Sequence, residues 1–340
     1  MTHKNKLLFI CKQRHIYSHT VNTPIASGLY NSAQFVVNML NHNGVNAKLA
    51  NVIDANSIDK EVTLYKPTYV VIEALWVTPE KMDVLIKRHP KVKWIVRLHS
   101  EIPFLAGEGI AMEWLYKYLD CKEITIGANS ERMTKQLSEL FNCPIMYLPN
   151  YYPTYSHKNE KHHNDHINIG CFGAIRPLKN QLIQAISAIE FGNNINKSIH
   201  FHINATRVEG KGEPILRNIE SLFANNPKHK LVRHEWMSHH DFVNVIKKMD
   251  LGMQVSYSET FNIITADFVN NNIPIIVSPE IFWVSDWFKA DPNSVKSIKS
   301  KLKFAYRLGN IWPFKHLNKN KLEEYDIQSK HFWLNKFTQR

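Results

Sequence analysis

Short apolar runs alternate with longer amphipathic stretches through the first half of the chain, and that alternation predicts strands separated by helices. KLLFICK at 6–12 reads as a strand, ASGLYNSAQFVVNMLNHNG as a loop and a helix ending at Gly44, and NAKLANVID and TYVVIEAL as further strands. TPEKMDVLIKRHP has a Thr N-cap and a Lys-rich helix closed by Pro90, and VKWIVRLHS returns to strand. ITIGANS, a helix from Glu131 to about Phe141, and PIMYLPN complete the series. From 153 to 166 the pattern turns polar, with Pro153 and clustered His, and reads as an interdomain connection.

A second series follows it. INIGCFGAI, a helix from Asn180 to about Phe191, SIHFHINA, a helix near Ile215 to Asn225, and KLVRHEW succeed one another. A further helix opens at Ser238, three residues before Asp241, and LGMQVSYSE is the next strand. SETFNIITADFVNNNIPIIVS at 258–278 reads as a loop, a helix ended by Asn271 and Asn272, and a buried strand. A β-α-β rhythm of this kind implies α/β architecture with parallel, doubly wound sheets. The expected organisation is a first lobe over 1–152, a linker over 153–166, a second lobe over 167–320, and a cleft between the lobes. The segment 321–340 is helical in pattern, with Phe332, Trp333, Leu334 and Phe337 near its end, and is expected to pack back on the first lobe.

Composition narrows this picture only a little. The 340 residues exceed one comfortable core, the hydrophobic fraction is 44%, and no run of eighteen apolar residues occurs. The apolar core of the N-terminal segment is too short for a signal peptide, so the expectation is a cytoplasmic protein, in the host cytoplasm if viral. Cys11, Cys121, Cys143 and Cys171 form no C-x-x-C pair, so neither a zinc knuckle nor a redox motif is indicated. His162, His163 and His166 read as part of a solvated linker, and no metal is expected. The net charge of +12 argues for a polyanionic partner: nucleic acid, an anionic membrane surface or a phosphorylated ligand. Lys and Arg are scattered, so a generally basic surface also satisfies it.

The candidate chemistry sits at strand ends. GCFGAIRPLKNQ at 170–181 places Gly173, Arg176 and Lys179 between a strand and a helix, where glycine lets a ligand approach and the cations suit a diphosphate. It is neither a Walker loop nor G-x-G-x-x-G, so ATP hydrolysis and hydride transfer find no support. Glu259 and Asp267 stand eight apart across the loop and helix of 258–278, so they can address different parts of one extended ligand; capping and the helix dipole also explain an acid there. In RLHSEIPFLAGEG at 97–109, Arg97, His99, Ser100 and Glu101 crowd a strand's C-terminal end.

Arg176-x-x-Lys179, the SHHDF helix and MQVSYSETFNIITAD, taken in order, resemble the C-terminal lobe of retaining GT-B glycosyltransferases, the glycogen-synthase-like and sucrose-synthase-like group with an E-x7-E motif. The resemblance covers about 167–280 with clear motifs and the first lobe more loosely. It implies two Rossmann-like domains facing a cleft, and transfer of a sugar from a UDP- or GDP-sugar to an acceptor hydroxyl with retention and no required cofactor. On it, Arg176 and Lys179 hold the diphosphate and stabilise the leaving charge, Glu259 contacts the donor sugar, and the amides of Thr260, Phe261 and Asn262 face sugar and phosphate. Asp267 takes the ribose hydroxyls, and Trp236 and Met237 the base, where a packing role for the aromatic is as good a reading. Gly28 resembles the group's glycine loop, though an ordinary turn explains it nearly as well. His99 resembles the cleft histidine, against a capping or core role; Arg97, Ser100 and Glu101, with Glu108, are candidates for the acceptor, against surface acids for the two glutamates. Two features depart from the group: the second acid, Asp267, is one methylene shorter, and Thr260 and Asn262 replace the usual glycines.

The acceptor is read from composition alone. A basic, Asn- and Lys-rich, glycine-poor chain suits a phage-type or low-GC bacterial enzyme acting on hydroxymethylated bases in DNA, which needs a basic groove and a flipped base. The alternatives are an enzyme of surface polysaccharide or glycolipid precursors, a nucleotide-sugar epimerase, and a non-catalytic nucleic-acid-binding protein on a GT-B scaffold.

Overall fold

The computed structural model describes residues 5–13, 28–155 and 165–338. Most of the expected linker, with His162 and His163, lies outside these residues, as does the stretch leading to Gly28. The described residues fall into two compact units, one made of those up to Pro153 and from Asp326 onward, the other running from Thr154 to Tyr325.

The first unit holds β1 (Lys6–Lys12), α1 (Gly28–His42), β2 (Asn46–Val52), α2 (Ser57–Tyr65), β3 (Tyr69–Glu73), α3 (Pro79–Arg88), β4 (Lys93–Leu98), α4 (Ile102–Leu105), α5 (Ala111–Leu119), β5 (Ile124–Ala128), α6 (Glu131–Phe141) and β6 (Met146–Tyr147). Its strands form one parallel sheet in the order β2-β1-β3-β4-β5-β6. Apolar residues run without alternation through β1 because both faces are covered. Leu8 and Ile10 join Val70, Ile72, Trp94 and Val96 on one side, while Leu7 and Phe9 meet Val36, Val37, Val71 and Ile95 on the other. Trp333 and Phe337 complete this second layer. The helices start where their caps stand: Thr78 Oγ1 accepts from the Lys81 amide at 3.2 Å, and Ser130 Oγ from Met133 at 3.0 Å.

The second unit holds β7 (His166–Gly170), a 3₁₀ turn at Pro177–Lys179, α7 (Gln181–Asn194), β8 (Ser198–Asn204), α8 (Glu213–Ala224), β9 (Lys230–His234), α9 (His239–Ile246), β10 (Leu251–Gln254), α10 (Ile263–Asn270), β11 (Ile275–Val277), α11 (Val295–Leu308) and α12 (Phe314–Thr338) as far as Tyr325, the rest of that helix belonging to the first unit. The sheet is parallel in the order β11-β10-β7-β8-β9, so strand order reverses between β7 and β10. At that reversal Gly170 stands beside Gly252. A Cβ on Gly170 would lie 2.5 Å from the Phe172 ring and 2.8 Å from Phe268; one on Gly252 would lie 2.7 Å from Phe268. These glycines make room for the two rings that seat the loop after β7 and the helix α10.

Two expectations are corrected and one helix is added. His166 opens β7 and stacks on His200 at 3.5 Å, so it is not part of a linker. α12 begins at Phe314, ahead of Lys321, because the polar positions between them still leave Asn318 and Leu322 on a buried stripe. α11, which the pattern reading passed over, buries Ile298, Leu302 and Ala305 and is capped by Ser294, whose Oγ accepts from Ser297 at 3.1 Å.

Behind the sheet edge, buried histidines form a directed chain. His202 Nε2 donates to Asn168 Oδ1 at 3.1 Å and its Nδ1 accepts from His234 Nε2 at 2.8 Å, so the His202 ring is held neutral with one proton. Burial, with the neighbouring His234, pushes His202 down to about 3. A group lowered in the fold gives stability that is present above its unfolded value near 6.5 and lost as pH falls. His202 alone therefore removes about 2 kcal/mol between pH 7 and 5. Urea midpoints at the two pH values measure this, and His202→Gln should flatten the difference; an unchanged slope in that variant would refute the assignment.

Candidate active site

In a doubly wound sheet, the loops that leave adjacent strands in opposite directions part at the reversal of strand order and leave a crevice. In the second unit those are the loops after β7 and β10, and they carry Arg176, Lys179 and Glu259. Lys179 Nζ donates to Glu259 Oε1, joining the two loops across the reversal. Both side chains are largely buried. Burial pulls the Lys179 ammonium below its usual range, while the Glu259 carboxylate opposes that pull.

The frame around this pair is rigid. Gly173 adopts φ +112, a conformation that favours glycine, and its amide donates to Asn204 Oδ1 at 2.9 Å. Its amide is thus already used, so the glycine shapes the turn. Asn180 Nδ2 donates to the carbonyls of Val255 and Pro292, and Gln184 takes the Val255 amide at 2.8 Å, tying the loop after β10 to the start of α7. Burial pushes the Cys171 thiol up to about 12, so it is protonated at neutral pH and is no nucleophile.

The loop before α10 explains one departure noted in the sequence. Asn262 stands where glycine is usual, and its backbone is left-handed at φ 58, a region that Asn tolerates better than most residues. Its Oδ1 caps α10 by accepting from Thr265 N at 2.9 Å, and its Nδ2 donates to Gln254 at 3.0 Å. Phe261 is buried between Trp283 and Tyr325, so its side chain is packing. Thr260 is half-buried in the same loop.

Asp267 lies in α10 at 1% exposure, and its Oδ1 accepts from His239 Nε2 at 2.7 Å. His239, at the start of α9, is 22% exposed. Burial works against a charged ring there, but the hydrogen bond and charge of Asp267 outweigh it and raise His239 above its ordinary value. The shorter acid thus reaches the surface through a histidine. His239 was not singled out from sequence, although its place at the head of a helix directly after a strand was a usable signal.

The loops after β8 and β9 add a second row that sequence reasoning also passed over. Arg207 Nε donates to Glu209 Oε1 at 2.7 Å, Glu209 Oε2 lies 3.6 Å from Arg176 Nη1, and the Arg207 guanidinium stacks 4.4 Å over the Trp236 ring. The Trp236 amide donates to Thr206 at 2.9 Å, and Met237 follows it, half-buried. Charged TRVE after a strand of the pattern SIHFHIN was the available clue.

In the first unit, Arg97 is corrected from an acceptor-binding group to a strut. It is 0% exposed, and each guanidinium nitrogen donates within the fold: to Glu73 at 3.1 Å, to the Leu148 and Pro149 carbonyls at 2.9 Å, and to Asn150 at 3.1 Å. His99 donates to Glu73 on its other oxygen, and burial lowers the imidazole despite that carboxylate. Burial would raise Glu73, but Arg97 and His99 outweigh it and hold the carboxyl below its usual range. Glu101 is likewise buried; it accepts from Ser130 Oγ at 2.5 Å and pairs with Arg132 at 3.2 Å, which braces the start of α6. Ser100 is half-buried, and Gly28 is the first residue of α1. Among the described residues no cluster of His, Cys, Asp and Glu has the geometry for a metal.

No family model and no curated protein matches the sequence. Solved structures match its shape. The α,α-trehalose 6-phosphate synthase of Burkholderia multivorans superposes with a TM-score of 0.69 at 9% identity, over 99% of this chain and 97% of that one. HepE of Anabaena, solved with UDP and glucose, gives 0.67 at 8% over 99% and 100%. TarM of S. aureus, solved with fondaparinux, α-GlcNAc-glycerol and UDP, gives 0.60 at 13%, over 80% of this chain and 55% of TarM, so the chain spans about half the length of that protein. At such identities the likeness is one of fold: an α/β fold of the GT-B kind, built from two doubly wound Rossmann-like units.

Proposed function

We propose that this protein is a retaining glycosyltransferase that moves a sugar from a nucleotide-sugar, a UDP-sugar first among the donors, to an acceptor hydroxyl. The observation that carries the reading is the Lys179–Glu259 pair bridging the two loops at the strand-order reversal. A largely buried ammonium needs an anion beside it, and a diphosphate can replace the carboxylate without leaving the cation bare. Glu259, released from Lys179, then turns to the hydroxyls of the donor sugar. Arg176 joins Lys179 on the diphosphate and stabilises the charge that develops as the bond to the sugar breaks. His239, oriented by Asp267, takes the ribose side, where a directly contacting acid is expected in the related group. The acceptor hydroxyl attacks on the face the leaving phosphate vacates, and its proton passes to that phosphate.

A nucleotide-sugar panel tests the donor. Melting temperature should rise with UDP-sugars, because a ligand at about a hundredfold its Kd stabilises by about 2.7 kcal/mol. Nucleotide release is then followed with hydroxymethylated duplex DNA and with a lipid-linked hydroxyl acceptor in parallel. Product without any acceptor would identify an epimerase; DNA binding with neither donor binding nor nucleotide release would identify a non-catalytic scaffold.

A further inference from the structure

Residues 292–322 contain eight Lys or Arg and no Asp or Glu, carrying +8 of the chain's formal +12. The charge is therefore not scattered after all. It gathers on α11 and on the first turns of α12, on either side of the turn at 309–313, which itself carries no charge. The same turn exposes apolar side chains: Trp312 at 80%, Ile311 at 53%, with Tyr306 and Leu308 also exposed. Trp287, 56% exposed, adjoins them through Phe304 and Phe314, with ring centroids at 5.8 and 5.4 Å. Phe304 and Phe314 themselves meet edge to face at 5.0 Å, so the patch stands on a fixed aromatic base.

We propose that this surface of the second unit docks on an anionic lipid bilayer, with Trp312 and Ile311 entering the headgroup region and the basic residues on the lipid phosphates. The charge is complementary to an anionic surface and to no cationic or neutral one. Of the basic groups, Lys299 faces Glu190 at 3.6 Å, which leaves Arg307, Lys315 and Lys321 as exposed charges on either side of the turn and Lys296 at the far end of α11. Lys301 donates to the Trp287 carbonyl at 3.0 Å and helps hold that indole at the edge. A nucleic acid would reward the lysines and could stack on Trp312, but it gives Leu308 and Ile311 nothing, whereas hydrocarbon rewards all of them. The groove beside the patch, lined by Ile273, Pro274, Phe288, Lys315 and Lys319, encloses only about 20 Å³, room for one water, so the feature offers area and not a small-molecule pocket. Among the described residues no helix is long and apolar enough to cross a membrane, and the contact is peripheral.

Co-sedimentation of the full chain with vesicles tests this without any substrate, so its outcome is independent of the donor assignment. Vesicles with about one-third phosphatidylglycerol should bind the protein, phosphatidylcholine vesicles should not, and raising salt several-fold should weaken binding. Trp312→Ala should lower partitioning about tenfold, and Arg307→Glu with Lys315→Glu at least as much, at unchanged melting temperature. Absence of binding to anionic vesicles overturns the proposal. So does binding that both variants leave intact, or duplex DNA binding that is tighter at the same salt and lost in the same variants.

Discussion

Arg176→Ala and Glu259→Gln should each lower nucleotide-sugar turnover by about 100- to 1000-fold, the range for removing one preorganised group from a developing charge. The melting temperature of Arg176→Ala should stay near that of the unaltered protein. Arg176 keeps a quarter of its side chain in solvent and leans on Glu209 at 3.6 Å, so its loss opens no cavity. Glu259→Gln retains a hydrogen-bond acceptor for Lys179 but leaves its largely buried ammonium without an anion, so the donor-free variant should melt lower while remaining folded. The kinetic form of the two losses differs. Arg176 acts on the charge of the departing diphosphate and should cost kcat, whereas Glu259 both releases Lys179 to the donor and holds the sugar, so its loss should show in donor affinity as well. Because both work on one bound donor, the double variant should fall short of the product of the two losses. Near-normal nucleotide release from either single variant would sink the assignment of this site.

The parts of this reading that were legible in sequence share one physical character: they depend on local spacing. Strands such as KLLFICK and VKWIVRLHS, and helices announced by Thr78 and Ser238, stand where period and capping put them. Arg176, Lys179 and Glu259 also fell out of local context, a strand end followed by a helix start. What could not be read depends on partners far away in the chain. The Arg207–Glu209–Arg176 row needs the loop after β8 to lie along the loop after β7, through the Ile175 and Val208 bridge. The His239–Asp267 bond joins residues 28 apart on two helices. Arg97 misled for the same reason. A charged residue near a strand's end resembles a ligand group until Leu148, Pro149 and Glu73 are seen to surround it.

Arg97→Met should destabilise the first unit by about 3–5 kcal/mol, the cost of leaving one member of a buried ion pair without its partner. Glu73 has no exposed surface, and the variant would strand its carboxylate beside a His99 whose burial already disfavours charge. The carbonyls of Leu148 and Pro149 would lose donors at the same time, loosening the segment that follows β6. Trp333, whose ring lies 5.1 Å from the guanidinium and whose Nε1 donates to Pro149 at 2.8 Å, would lose part of its seat as well. Pairing Arg97→Met with Glu73→Gln should recover much of the loss, since the double variant buries no unpaired charge. Urea titration with hydrogen exchange along β3, β4 and the end of α12 reads both effects. An acceptor-binding Arg97 predicts the opposite pattern: a raised KM for acceptor at unchanged stability, with no rescue by Glu73→Gln. That outcome would return Arg97 to the reaction, where its neighbours in the sequence first placed it.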